Sequence, residues 1–159
     1  MSNKFPLSQK YIDFINTTNV SAEFLEGTTA SGKTTVGAGV KFMRMVSQSP
    51  KKLHAIAAKT TGKAEETIIQ QDNGILDLHR NAVYCGNGDK DYKLPHIKFE
   101  DKIIYILGYS SRDKWEMVLG AQFGCVYIDE INTADIEFIR EMSTRNDYIC
   151  LLYTSPSPR

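Results

Sequence analysis

The residues best suited to chemistry lie near the N-terminus. Gly27-Thr28-Thr29-Ala30-Ser31-Gly32-Lys33-Thr34 fits the pattern G-x-x-x-x-G-K-[ST] at every fixed position. Glycines at 27 and 32 permit backbone dihedrals that a side chain would forbid, so successive N–H groups can turn inward around a phosphate. A helix opening near Gly32 adds its N-terminal partial charge and unpaired donors at the same point. Lys33 would bring a full positive charge to the β- and γ-phosphates, the Thr34 hydroxyl can ligate Mg²⁺, and Thr35 continues the binding segment. The segment reads as a nucleotide-binding loop. A second constellation, Cys125-Val126-Tyr127-Ile128-Asp129-Glu130, is an apolar strand ending in two acids. There Asp129 is placed to join the Mg²⁺ shell and Glu130 to take a proton from an attacking water. A base adjacent to the metal-shell acid points to a hydrolysing ATPase rather than a nucleotide kinase.

These residues need strands and helices to hold them, and the hydrophobic pattern supplies both. Leu7 to Asn16 reads as a helix with Ser8 as a hydroxyl cap, and Val20 to Glu26 as a strand stopping at Gly27. Gly32 to Val46 has helical spacing and is ended by Ser47-Gln48-Ser49-Pro50. Leu53 to Ala58 is a second strand, followed by a helix from about Lys63 to Gln71. Asp72 to Asp91 is polar and rich in Gly and Asn, so it is expected to be an insertion loop or ribbon around a short Ala82–Tyr84 strand. Ile97–Phe99 and Lys102–Leu107 flank Glu100-Asp101 as a hairpin, although that pair is not the preferred turn chemistry. Helices at Arg112–Leu119 and Ala134–Met142 and strands at Cys125–Ile128 and Tyr148–Leu152 complete the series. Strands alternating with helices in this way predict an α/β fold, a mostly parallel sheet flanked by helices.

Composition narrows the class further. The chain has 159 residues, with 19 Lys+Arg against 19 Asp+Glu and 42% hydrophobic residues. A chain of this size suits one soluble globular domain. No apolar run approaches the roughly 20 residues that span a bilayer, and Met1-Ser2-Asn3-Lys4-Phe5-Pro6 lacks a signal-peptide core. Cys85, Cys125 and Cys150 are odd in number and widely spaced, which suggests a reducing cytosol and indicates neither a disulfide framework nor a zinc site. Zero net charge gives no overall attraction to nucleic acid, so a DNA contact would need a local patch, such as Lys51-Lys52 or Lys59 with Lys63, or another part of an assembly.

With these motifs in place, the chain resembles the large terminase subunits, the DNA-packaging motors of tailed phages, and most of all those of phages and prophages of Gram-positive bacteria. The resemblance runs from about Leu7 to Tyr148. It rests on Phe24 to Thr35, on His54-Ala55-Ile56-Ala57-Ala58-Lys59-Thr60, and on Tyr127-Ile128-Asp129-Glu130-Ile131-Asn132. It implies a P-loop NTPase fold of the additional-strand, catalytic-Glu type, with ATP and Mg²⁺ as ligands. In such proteins a homo-oligomeric ring on the procapsid, working with the terminase small subunit and the portal protein, drives double-stranded DNA inward in the bacterial host cytoplasm. The ATPase domain would be residues 1–149, incomplete here, with the C-terminal nuclease domain absent. Carried over residue by residue, Lys33 and Thr34 match the phosphate and Mg²⁺ positions, Asp129 the metal-shell acid and Glu130 the catalytic base. Many relatives have an arginine at the position of Thr29, and relatives place a glutamine against adenine in the region of Gln9, where Tyr11 is the other candidate.

The end of the chain departs from that family, whose members continue with a Thr/Ser-x-Asn-Pro-like coupling segment. Cys150-Leu151-Leu152-Tyr153-Thr154-Ser155-Pro156-Ser157-Pro158-Arg159 instead resembles a translated sequencing adapter, so residues 150–159 are expected to be an adapter-derived tail. Without the coupling segment and neighbouring subunits, this chain is expected to hydrolyse ATP poorly. A helicase-like P-loop ATPase, or a nucleotide-binding regulatory module without turnover, stays open as an alternative. Arg112, Arg140 and Arg145 are candidates for an arginine acting in trans. His54 reads as a packed strand residue, and His79 and His96 as having no partners at metal-ligand spacing. Asp89-Lys90-Asp91 reads as a solvated turn, and Trp115 as a core residue.

Overall fold

A computed structural model of the chain describes residues 7–27 and 32–154. Thr28, Thr29, Ala30 and Ser31 of the phosphate loop, and residues 155–159, lie outside the described residues.

Ser8 caps the first helix, α1 (Gln9–Asn16), by accepting a hydrogen bond from the Tyr11 amide. Strand β1 (Ala22–Gly27) leads to the segment read from the sequence as a phosphate loop. Beyond it a helix opens at Lys33, is wound with i→i+5 bonds over Thr35–Phe42, and tightens to α2 (Met43–Gln48). Strand β2 (Leu53–Ala58) is followed by α3 (Thr61–Ala64), whose first turn is capped by the Thr60 side chain and which continues in the wider winding over Glu65–Ile69. The polar stretch read as a loop holds a one-turn helix, α4 (Ile75–Leu78), because Ile75 is driven into the core. It also contributes β3 (Val83–Cys85). Strands β4 (His96–Phe99) and β5 (Lys102–Gly108) form the expected hairpin, with Glu100 at φ +56° accepting a conformation that glycine takes more readily. The rest is α5 (Arg112–Glu116), β6 (Phe123–Ile128), a 3₁₀ turn at Ile131–Thr133, α6 (Ile136–Ser143) and β7 (Asn146–Thr154). Helix α6 starts two residues later than the apolar pattern suggests because the Asp135 carboxylate caps it at Glu137 N.

The strands form one sheet in the order β1-β7-β6-β2-β5-β4-β3. Pairing is parallel from β1 through β5, and antiparallel where β4 and β3 are added. The fold is thus α/β with a mostly parallel sheet, and β7 is inserted between the strand that feeds the phosphate loop and the strand that ends in Asp129 and Glu130. The residue-149 boundary drawn from the sequence falls inside β7, whose pairing with β1 continues to Gly27 opposite Thr154.

Strands covered on both faces must be apolar throughout, and β2 and β6 are buried almost end to end. Alternate side chains feed two cores. Ile56, Tyr127, Cys150 and Leu152 pack with Phe42 and Met43 on one face, while Ala55, Ala57, Val126 and Ile149 pack with Trp115 and Phe138 on the other. Trp115 is a core residue, with its ring edge-on to Phe138 at 5.3 Å. Among the described residues no helix is long and apolar enough to cross a membrane.

Candidate functional site

The C-terminal ends of β1 and β6 bring the two sequence constellations to the same edge of the sheet. Gly32 turns the chain into the helix at φ +82°, a left-handed conformation suited to glycine. Lys33 is buried and donates to the Gly27 carbonyl at 2.9 Å, so its ammonium reaches back to the start of the loop. Burial pushes the Lys33 amine below its ordinary value, while the charges of Glu130 and Asp129 act to hold its proton.

Asp129 leaves β6 with its amide donating to the Ala57 carbonyl at 2.8 Å, which continues the parallel ladder one residue past the strand. Its carboxyl is almost fully buried. Burial, reinforced by the Glu130 charge, pushes it up to about 6, opposed by the Tyr127 hydroxyl and by Lys33 and Lys63. Tyr127, on the same strand, is the residue that sequence reasoning missed here. Its hydroxyl donates to Asp129 Oδ1 at 3.4 Å, and the Thr34 side chain stands close enough to act on the same phenol. Burial keeps that phenol protonated, and it joins the two side chains read as Mg²⁺ ligands. A hydroxyl and a carboxylate brought together at the head of a helix form an oxygen donor set that fits a hard divalent cation.

Glu130 follows at φ +53° and ψ +54°, a strained conformation for a residue with a Cβ. Its carbonyl accepts bonds from the hydroxyls of Tyr109 at 3.0 Å and Thr133 at 2.9 Å, and from the Thr133 amide at 3.0 Å. Tyr109 also donates to the Asp129 carbonyl at 3.0 Å and lies 2.7 Å from Thr133 Oγ1. The bend that aims Glu130 away from the strand is therefore fixed by a buried phenol on the β5–α5 connection. Nothing in local spacing marks Tyr109, because it sits 20 and 21 residues from Asp129 and Glu130, whose carbonyls it holds.

Gln9 lies on α1, where its side-chain amide donates to Asp13 Oδ1 at 2.8 Å. Tyr11 is the α1 residue closer to the loop, since a Cβ built on Gly32 would lie 3.9 Å from its ring. Two of the three arginine candidates are engaged by carboxylates: Arg112 with Glu116 at 2.6 Å and Glu137 at 2.7 Å, and Arg145 with Glu141 at 3.1 Å. Arg140 lines the same shallow groove as Arg112, Trp115 and Glu137. His54 is packed as expected, and His79 bonds the Gly39 carbonyl at 2.6 Å. His96 departs from expectation. A ring nitrogen of His96, a carboxylate oxygen of Asp89 and the Cys85 thiol are ligand atoms all within 4.8 Å of one another, because strand pairing brings together residues that are distant in sequence.

A large terminase from a thermophilic bacteriophage superposes on the chain with a TM-score of 0.70 at 16% identity, covering 94% of this chain and 39% of that one. This chain folds like part of a large terminase. The same phage's terminase in complex with ADP gives a TM-score of 0.68 at 19% identity over 94% of this chain. Its complex with ATP-γ-S gives 0.66 at 16% over 93%. The chain spans less than two fifths of the length of these terminase structures, 38% of each nucleotide complex. No protein-family model and no curated protein sequence matches it.

Proposed function

We propose that this chain is the ATP-hydrolysing motor segment of a phage or prophage terminase large subunit. The observation that carries the reading is the convergence of Lys33, Thr34, Asp129 and Glu130 at one sheet edge, with Tyr127 joining Thr34 to Asp129. The likeness of the fold to terminases crystallised with ADP and ATP-γ-S supports the nucleotide class.

The phosphate loop, Gly27 to Thr34, would wrap the triphosphate, and Lys33 would exchange the Gly27 carbonyl for phosphate oxygens. Thr34 and Asp129 would hold Mg²⁺, which supplies charge neutralisation at the β- and γ-phosphates. Glu130, held off the strand by Tyr109 and Thr133, would orient water and accept its proton. Gln9 is assigned to the adenine side. In the full gene product we place this unit in a homo-oligomeric ring on the procapsid, with double-stranded DNA, the terminase small subunit and the portal protein as partners, in the bacterial host cytoplasm. The nuclease would be a separate C-terminal domain.

The test is ATP binding and phosphate release with and without Mg²⁺, for the parent, Lys33→Ala and Glu130→Gln proteins. Lys33→Ala should abolish binding. Glu130→Gln should bind ATP but lose hydrolysis. Binding without any magnesium-dependent turnover that Glu130→Gln removes, in this chain and in the full gene product, would favour a regulatory nucleotide-binding module instead.

A further inference from the structure

At the far edge of the sheet from the phosphate loop, Cys85 on β3 and His96 on β4 are direct cross-strand partners. Such pairs place their side chains on one face, about 5 Å apart at Cβ. The connection between the strands folds back so that Asp89 joins them. Asp89 Oδ1 accepts from the amides of Asp91 at 2.9 Å and Tyr92 at 2.7 Å, which leaves Oδ2 directed at His96 Nε2, 3.4 Å away. The His96 ring is fully buried, and its Nδ1 faces the Leu94 carbonyl at 2.8 Å. That contact requires the proton on Nδ1, which in neutral imidazole turns the Nε2 lone pair toward the carboxylate. Nε2 has no hydrogen-bond partner. Asp89 Oδ2 already meets the Lys98 ammonium at 2.6 Å, so Nε2 is the acceptor left without a donor, and a metal cation between the two atoms would serve both.

We propose that Cys85, Asp89 and His96 form a zinc site that clips the β3–β4 ribbon. A tetrahedral zinc with N and O ligands at about 2.0–2.2 Å separates them by roughly 3.4 Å, and thiolate, imidazole and carboxylate together suit zinc better than magnesium or calcium. The Leu94 carbonyl is the outer partner that metal-bound histidines ordinarily have. Lys98 is the competitor. Its ammonium lies 2.6 Å from Asp89 Oδ2 and its side chain is 44% exposed, so it can withdraw into solvent when metal enters. Binding releases the Cys85 thiol proton to solvent, forms a sulfur–zinc bond and frees Lys98, with no change of oxidation state. The site lies apart from Thr34 and Asp129 and does not depend on the nucleotide reading.

The 159-residue chain, stripped with chelator, should bind one equivalent of Zn²⁺ in a calorimetric titration. Co²⁺ in its place should give a sulfur-to-metal charge-transfer band and the intense visible bands of tetrahedral cobalt. Cys85→Ser should remove the charge-transfer band and weaken binding at least about tenfold, with Asp89→Asn weakening it similarly. Lys98→Ala should tighten zinc binding, a direction that general loosening of the ribbon would not produce. Absence of saturable one-equivalent binding, cobalt bound without the thiolate band, or equal zinc affinity in parent and Cys85→Ser would each overturn the site. The parent cobalt spectrum decides even where a variant fails to fold.

Discussion

Lys41 Nζ and Glu23 Oε1 lie 2.8 Å apart, with the Lys41 side chain wholly removed from solvent. The same ammonium donates to the Phe14 and Thr17 carbonyls at the end of α1 and sits 4.5 Å over the Phe14 ring. Glu23 in turn accepts from the Tyr148 hydroxyl at 2.8 Å. One buried lysine on the helix after the phosphate loop thus ties α1, β1 and β7 together. Lys41→Met should cost about 3 kcal/mol in urea unfolding, because it leaves Glu23 with Tyr148 alone, takes the ammonium from the Thr17 carbonyl and leaves the Phe14 carbonyl only the long bond from the Thr17 amide at 3.4 Å. Adding Glu23→Gln should recover part of that loss. A single-variant effect under about 1 kcal/mol would show that the pair is not essential.

Tyr109→Phe removes one hydroxyl that serves the Asp129 and Glu130 carbonyls and Thr133. The expected loss of stability is about 1–3 kcal/mol. Faster amide hydrogen exchange at Thr133 should accompany it, since the Glu130 bend loses its brace. Unchanged exchange there would mean that the bend holds without Tyr109.

His54 supplies a pH dependence. Its Nδ1 accepts from the Cys125 amide at 2.9 Å and its Nε2 donates to the Lys51 carbonyl at 2.9 Å, so the folded ring is neutral and fully bonded. Burial first of all lowers its proton affinity from 6.5 to about 4. Between those values the unfolded chain binds more protons than the folded one. The contribution is therefore complete above about pH 6.5 and declines as pH falls toward 4, by at most about 1.4 kcal/mol per pH unit. Urea midpoints at successive pH values should fall over this range in the parent, and fall less in His54→Gln.

Gly124 makes room for that ring. A Cβ there would stand 2.5 Å from His54 Cε1 and 2.5 Å from Ser49 Oγ. The ring is held at both nitrogens and cannot yield without losing a bond, so Gly124→Ala should destabilise by about 1–3 kcal/mol. It should also flatten the pH dependence of unfolding. Loss of stability with the slope intact would mean that the backbone, not His54, gives way.

What the sequence made legible was short in range. The Gly27–Thr34 and Asp129-Glu130 strings are contiguous, so the chemistry proposed for them could be read from residue order, and the strands that deliver them are apolar runs. Lys41 is an ordinary basic residue in a helical pattern until folding brings Glu23 beside it. Tyr109 and Tyr127 look like generic aromatics, because their value lies in hydroxyl contacts rather than ring burial. Cys85 and His96 are separated by a polar stretch that resembles a solvated turn, and only the antiparallel register makes them neighbours. The insertion of β7 between β1 and β6 is not written in local periodicity either, and only the resemblance, through its additional-strand type, implied an extra strand.

That insertion fixes a dimension. With neighbouring strands about 4.8 Å apart, the phosphate-loop strand and the acid strand stand two rungs, roughly 10 Å, from each other. Strand β7 is in register with both, pairing Leu152 with Leu25 and Leu151 with Ile128. It acts as the spacer of a calliper whose jaws are Gly27 and Asp129. A shift of β7 along its axis by one residue would exchange Cys150 and Leu152 for Ile149 and Leu151 between opposite cores. The height of one jaw relative to the other along the strands is therefore set by which hydrophobic side chains of β7 face which way.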